Sequence, residues 1–145
     1  MNILNRSAIV PYSTRQMFEL VNHIEEYPKF LPWCNKSQIV SRTDKEVVAI
    51  LEVNWKGIHK SFTTRNLLSP YERMDILLVK GPLQHMEGIW NFQSLNEQAC
   101  KVLLNLEFEF TGNFIDRLFQ PVFQHIANTL VDAFSKRADE LYGHE

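Results

Sequence analysis

Five histidines, two cysteines and one same-face pair of glutamates are the groups in this 145-residue chain best suited by type to act as bases, ligands or nucleophiles. The histidines stand at 23, 59, 85, 125 and 144, at no spacing that suggests a metal site, and no four Cys and His fall at zinc spacing. Cys34 follows Pro32-Trp33, and Cys100 opens a strand-like run. Neither has a neighbouring histidine or helix start to lower its pKa, so both are expected as reduced, structural thiols. Glu107 and Glu109 sit two apart on a strand and share a face, a geometry that suits acid–base work. That face alternates with Phe108 and Phe110, which point to the core, so the pair is expected in solvent. His59, near Trp55 and Phe62, and His125, at the edge of an apolar helical stripe, are the two histidines placed to give a pocket a polar contact. Neither has a convincing acid–base partner. G-x-S-x-G, H-E-x-x-H, P-loop and G-x-G-x-x-G motifs are absent. The expectation is a protein with no catalytic residues, no metal and no required cofactor.

The apolar residues carry more information. Trp33, Trp55, Phe62, Met74, Trp90 and Phe92 come from several different segments, and Phe114, Phe119 and Phe123 cluster at the start of the last helix. Aromatic residues converging from separate strands and a helix would line a hydrophobic cavity. The same types also build an ordinary core, so composition does not choose between the two.

The elements that must position these residues follow from periodicity. Residues 2–10 read as a strand ended by Pro11. Ser13 is a helix N-cap, and Met17, Phe18, Leu20, Val21 and Ile24 have helical spacing, which predicts a helix over 14–23. In EEYPKFLPW, Pro28 and Pro32 permit only a short helical or turn segment. From 35 the period is two, with strands expected near 47–56, 58–68, 72–80, 85–95 and 99–110. Ser69-Pro70, Gly81-Pro82 and Asn96-Glu97 supply the turns. Short connections imply antiparallel hairpins. After Thr111-Gly112-Asn113 a helical stripe runs from Ile115 through Leu118, Phe119, Val122, Phe123, Ile126 and Phe134 to Leu141. Pro121 should kink or restart that helix. The predicted architecture is a single α+β domain over 1–145: a curved antiparallel sheet of about six or seven strands gripping a long C-terminal helix.

Charge is nearly balanced, at −2 overall with a pI of 6.2, which argues against a strongly basic nucleic-acid binder. It is unevenly spread: residues 36–80 carry net +3, residues 107–145 net −4. Lys36, Lys45, Lys56, Lys60, Arg65 and Arg73 are the cations available for a phosphate-rich partner, although their alternation keeps them from all sharing one face. No apolar run is long enough to span a membrane. The N-terminus lacks the apolar region of a signal peptide.

Several segments together resemble a known family. They are Glu26-Tyr27-Pro28-Lys29-Phe30-Leu31-Pro32-Trp33-Cys34, Phe62-Thr63-Thr64-Arg65-Asn66, Gly81-Pro82-Leu83 with Gly88-Ile89-Trp90-Asn91-Phe92, Phe108-Glu109-Phe110, and Pro121-Val122-Phe123 with Leu130-Val131-Asp132-Ala133-Phe134 and Arg137-Ala138. They are similar to the coenzyme Q-binding branch of the START-like (polyketide cyclase/dehydrase, Bet v 1-type) superfamily, over nearly the whole chain. The resemblance implies a helix-grip fold with a hydrophobic cavity between sheet and C-terminal helix. From mitochondrial relatives it implies a ubiquinone or other prenyl lipid as ligand, in support of respiration. From bacterial relatives it implies a ribosome-association toxin that binds the large ribosomal subunit and blocks subunit joining, with an antitoxin as a further partner. The chain starts at its first strand without a presequence, so the bacterial, cytoplasmic role is the one expected.

Overall fold

The computed structural model describes residues 2–112 and 114–143, with residues 115 and 116 described by backbone alone. Ile115 of the predicted stripe and His144 therefore lie outside the described side chains. The chain runs β1 (Asn2–Val10), α1 (Thr14–Asn22), a 3-10 turn (Ile24–Lys29), β2 (Cys34–Arg42), β3 (Glu46–Trp55), β4 (Ile58–Ser69), β5 (Arg73–Lys80), β6 (Leu83–Asn96), β7 (Ala99–Phe110), α2 (Phe114–Arg117) and α3 (Gln120–Tyr142).

The seven strands form one antiparallel sheet in the order β1-β7-β6-β5-β4-β3-β2. Consecutive strands from β2 to β7 are hairpin neighbours, as the short turns require, while β1 crosses over to pair with β7. Register shifts interrupt β2, the β4–β5 pairing and both ends of β6. Each such irregularity bends its strand and adds twist. The result is a curved sheet whose concave face takes a helix.

Local chemistry explains the helices. Ser13 Oγ accepts from the Gln16 amide at 3.1 Å, and Gln16 Oε1 accepts from the Ser13 amide at 2.9 Å. This reciprocal cap satisfies two otherwise orphaned donors. Pro121 falls in the first turn of α3, where its missing N–H costs nothing. It restarts the helix after the one-turn α2. The buried stripe of α3 is Val122, Phe123, Ile126, Ala127, Val131, Phe134 and Ala138. Leu118 and Leu141, assigned to that stripe by spacing, are exposed, because one sits in the turn before α3 and the other in its final turn.

The core fills the space between α3 and the concave face. Leu104, Val102, Trp90, Met74, Phe119 and Phe134 are essentially inaccessible. Burying each large apolar side chain contributes roughly 1.5–3 kcal/mol relative to exposure. The segment around Tyr27 is fastened to this core by hydrogen bonds and ring contacts. The Tyr27 hydroxyl donates to the Val21 carbonyl, and its ring lies 5.3 Å from that of Phe134. The Leu31 amide donates to the Tyr27 carbonyl and the Asn54 amide to the Trp33 carbonyl, which ties the proline-rich turn to the sheet.

Candidate functional site

Side chains that face one another across the concave sheet do so because of register. Leu51 pairs with Phe62, Asn66 with Ile76, Met74 with Trp90, and Gly88 with Leu106. Directly opposed residues share a face, so these positions gather under α3. They leave an apolar cavity of about 110 Å³. Phe123, Ile126, Ala127, Leu130 and Phe134 of α3 cover it, and Ile24, Tyr27 and Trp33 complete the wall. Gly88 belongs to this geometry: a Cβ there would come 2.6 Å from Leu106 Cδ2.

Five residues of the predicted lining, Trp33, Phe62, Met74, Trp90 and Phe123, border this cavity. Four do not. Phe119 is fully buried but packs behind the lining, with its ring 5.5 Å from Phe62 and 6.0 Å from Phe123. Phe92 has inward parity, yet its ring lies 5.6 Å from Phe18 of α1, beyond Trp90. Trp55 is half-buried and stacks on His125. Phe114 is 71% exposed, because α2 is a separate turn and not the first turn of the covering helix.

The two histidines considered as cavity contacts are both exposed. His59 is opposite Asn54 on the outer face of the sheet, three positions from Phe62 and so of opposite parity. His125 precedes the inward Ile126 and turns to Trp55, with ring centroids 5.3 Å apart. The lining instead includes two polar residues that aromatic spacing did not single out, Thr64 and Asn66, buried at 7% and 5% exposure. Their signal is in the sequence: they continue the parity of Phe62 through F-T-T-R-N.

Among the described residues, no Asp, Glu, Lys, Arg, His or Cys contributes to the lining. Tyr27 is its titratable residue, and burial pushes that hydroxyl up, keeping it protonated as a donor. Burial also pushes the Cys34 thiol up to about 11 and raises Cys100, as inert thiols require. Such an apolar lining suits an apolar molecule. On the outer face, His85, Glu87 and Glu107 bring ligand atoms within 4.8 Å of one another. Sequence spacing did not reveal that group, because it depends on the β6–β7 register.

The predicted cations do not form one patch. Lys36 and Arg65 are on the outer face, and Lys45 and Lys56 are exposed in the β2–β3 and β3–β4 turns. Lys60 opposes Val53 and so takes the concave parity. Arg65 is paired with Glu46 at 2.9 Å and Arg73 with Asp75 at 2.7 Å.

The fold and cavity define a helix-grip protein of the START-like type. Residues 10–135 match the family described as polyketide cyclase / dehydrase and lipid transport, and the chain belongs to it. Its sequence is 41% identical over 140 residues to the ribosome association toxin RatA of Pseudomonas aeruginosa, with 97% of each chain covered. It is 26% identical over 145 residues to the mitochondrial coenzyme Q-binding protein COQ10 homolog B of Xenopus laevis, covering 97% of this chain and 59% of that one. The Streptomyces aromatase/cyclase Zhui superposes with a TM-score of 0.84 at 16% identity, covering 95% and 93% of the two chains. At that identity the likeness speaks for the fold alone. Among the described residues, no helix is long and apolar enough to cross a membrane.

Proposed function

We propose that this protein is a non-enzymatic, cytoplasmic factor of the RatA type, which associates with the large ribosomal subunit and hinders subunit joining. The observation that carries this reading is the 41% identity to a ribosome association toxin along 97% of both chains. Two features support it: the described residues of the cavity wall include no carboxylate, amine, imidazole or thiol, and Lys36, Lys45 and Lys56 are exposed cations available to phosphates. Such contacts are weakened by salt through counterion release. The test is a gradient profile of extract from cells expressing the protein. Free subunits should accumulate, with the protein sedimenting beside the large one. Unchanged profiles under strong expression would reject the reading.

A second reading is a carrier of a prenyl quinone or similar lipid. The apolar cavity and the similarity to a coenzyme Q-binding homologue favour it. A volume of about 110 Å³ accepts a ring or a short isoprenoid stretch, so a whole prenyl quinone requires α3 to move off the sheet. Organic extraction of the purified protein followed by mass spectrometry tests this. A co-purifying prenyl lipid is expected, and its absence from protein made in quinone-producing cells would count against the carrier.

A further inference from the structure

On the outer face of the sheet, opposite the cavity, two carboxylates meet with little to relieve them. Glu87 of β6 and Glu107 of β7 are directly opposed in register. Like charges in that relation destabilise a strand pair. On its other side Glu87 is paired with Leu77 of β5, and Glu107 with Ile3 of β1, so neither flanking strand sets a cation directly beside them. The group that does approach is an imidazole. His85, two residues before Glu87 on the same face, brings Nε2 to 3.8 Å from Glu107 Oε2. One ligand atom from each of the three residues lies within 4.8 Å of the others.

We propose that His85, Glu87 and Glu107 bind one divalent cation of the zinc class on this face. Zinc bonds of about 2.0–2.2 Å to nitrogen and carboxylate oxygen put neighbouring ligands of a tetrahedral ion roughly 3.3–3.6 Å apart. The 3.8 Å between His85 and Glu107 is close to that separation, and small side-chain rotations bring in the third ligand. The imidazole selects the metal: magnesium and calcium take oxygen ligands, whereas zinc takes nitrogen and oxygen together. The ion supplies the positive charge that the opposed carboxylates lack. β6 and β7 are interior strands, so the ligands stand on a rigid frame. Register also sets Glu109 opposite His85, and metal-bound imidazoles commonly donate their second N–H to a carboxylate. The His85 and Glu107 side chains are 33% and 47% exposed, which leaves an entry path and a fourth position for water.

The test is calorimetric titration of the untagged full chain with zinc chloride, beside magnesium chloride as the oxygen-preferring control. One zinc ion per chain should bind, with magnesium failing to compete. His85→Ala should weaken zinc at least about tenfold, since loss of even an outer partner of a metal ligand costs that much. Glu87→Gln keeps the side-chain shape and provides a second variant should the alanine form fold poorly. It should weaken zinc by a similar factor while raising the melting temperature of the metal-free protein, because it relieves the opposed pair. Zinc held by either folded variant as tightly as by the natural chain would place the ion elsewhere and overturn the assignment. The absence of binding heat from the natural chain up to millimolar zinc would overturn it as well.

Discussion

Trp55 and His125 lie face to face, with ring centroids 5.3 Å apart and planes 15° from parallel. One ends β3 beside the β3–β4 turn, and the other lies in the first part of α3, so the stack clips the hairpin to the covering helix. Both neighbours of His125 toward the sheet, Phe123 and Ile126, line the cavity. His125→Ala should cost about 0.5–1.5 kcal/mol of stability. It should also shift Trp55 fluorescence and speed amide exchange in the hairpin. Exchange unchanged in residues 53–60 would show that the stack restrains nothing.

Phe123 is the hub of the aromatic core. Its ring approaches Phe62, Phe108, Phe110 and Phe119 at 4.9–6.0 Å. Phe123→Ala should destabilise the protein by about 3–5 kcal/mol, through lost burial and an enlarged hollow. Denaturant titration measures it. A loss below about 1 kcal/mol would mean that the helix collapses onto the sheet without this ring.

Glu25 supplies a pH-dependent fastening between the 3-10 turn and β2. Arg42 reaches both of its carboxylate oxygens, at 2.6 and 2.9 Å, and this hydrogen bonding lowers the Glu25 pKa from 4.5 to about 2. A depressed carboxylate contributes stability that is fully present above its unfolded pKa and lost as pH falls through the folded value. The contribution should therefore disappear between pH 4.5 and about 2. Both side chains are partly exposed, so the effect is small, on the order of 1 kcal/mol or less. Glu25→Gln should flatten the acid limb of a denaturation-midpoint profile, and a parallel acid limb in that variant would remove Glu25 from the account.

Cys34 and Cys100 are buried, with thiol pKa values raised by burial, to about 11 for Cys34. Because the thiolate is the reactive form, neither should react with an aromatic disulfide reagent at pH 8 in the folded state. Both should react at once in denaturant. Rapid modification of the native protein would mean that the sheet opens on the timescale of the assay.

Much of this molecule is legible without coordinates because the decisive signals are local. Alternation in Val102, Leu104, Leu106 and Phe108 specifies which face of β7 is buried. The Ser13/Gln16 cap and Pro121 mark where α1 and α3 begin. Sequence order together with short turns dictates antiparallel neighbours, and an apolar stripe as long as that of α3 has no other surface large enough to bury it.

What the tertiary structure alone decided is which of the aromatic residues meet. Phe62 and Phe119 are equally apolar in sequence, yet one faces the hollow and the other backs it. Phe114 keeps the composition of a core residue but belongs to a turn that the restart at Pro121 leaves outside. Asn66 reads as a polar strand residue until register sets it opposite Val47 and Ile76 under the helix. Periodicity assigns a side chain to a face; the distance between faces, and hence whether a space is filled or left open, depends on strand register and on the path of α3 over the bent sheet. Those are long-range relations that no stretch of neighbouring residues encodes.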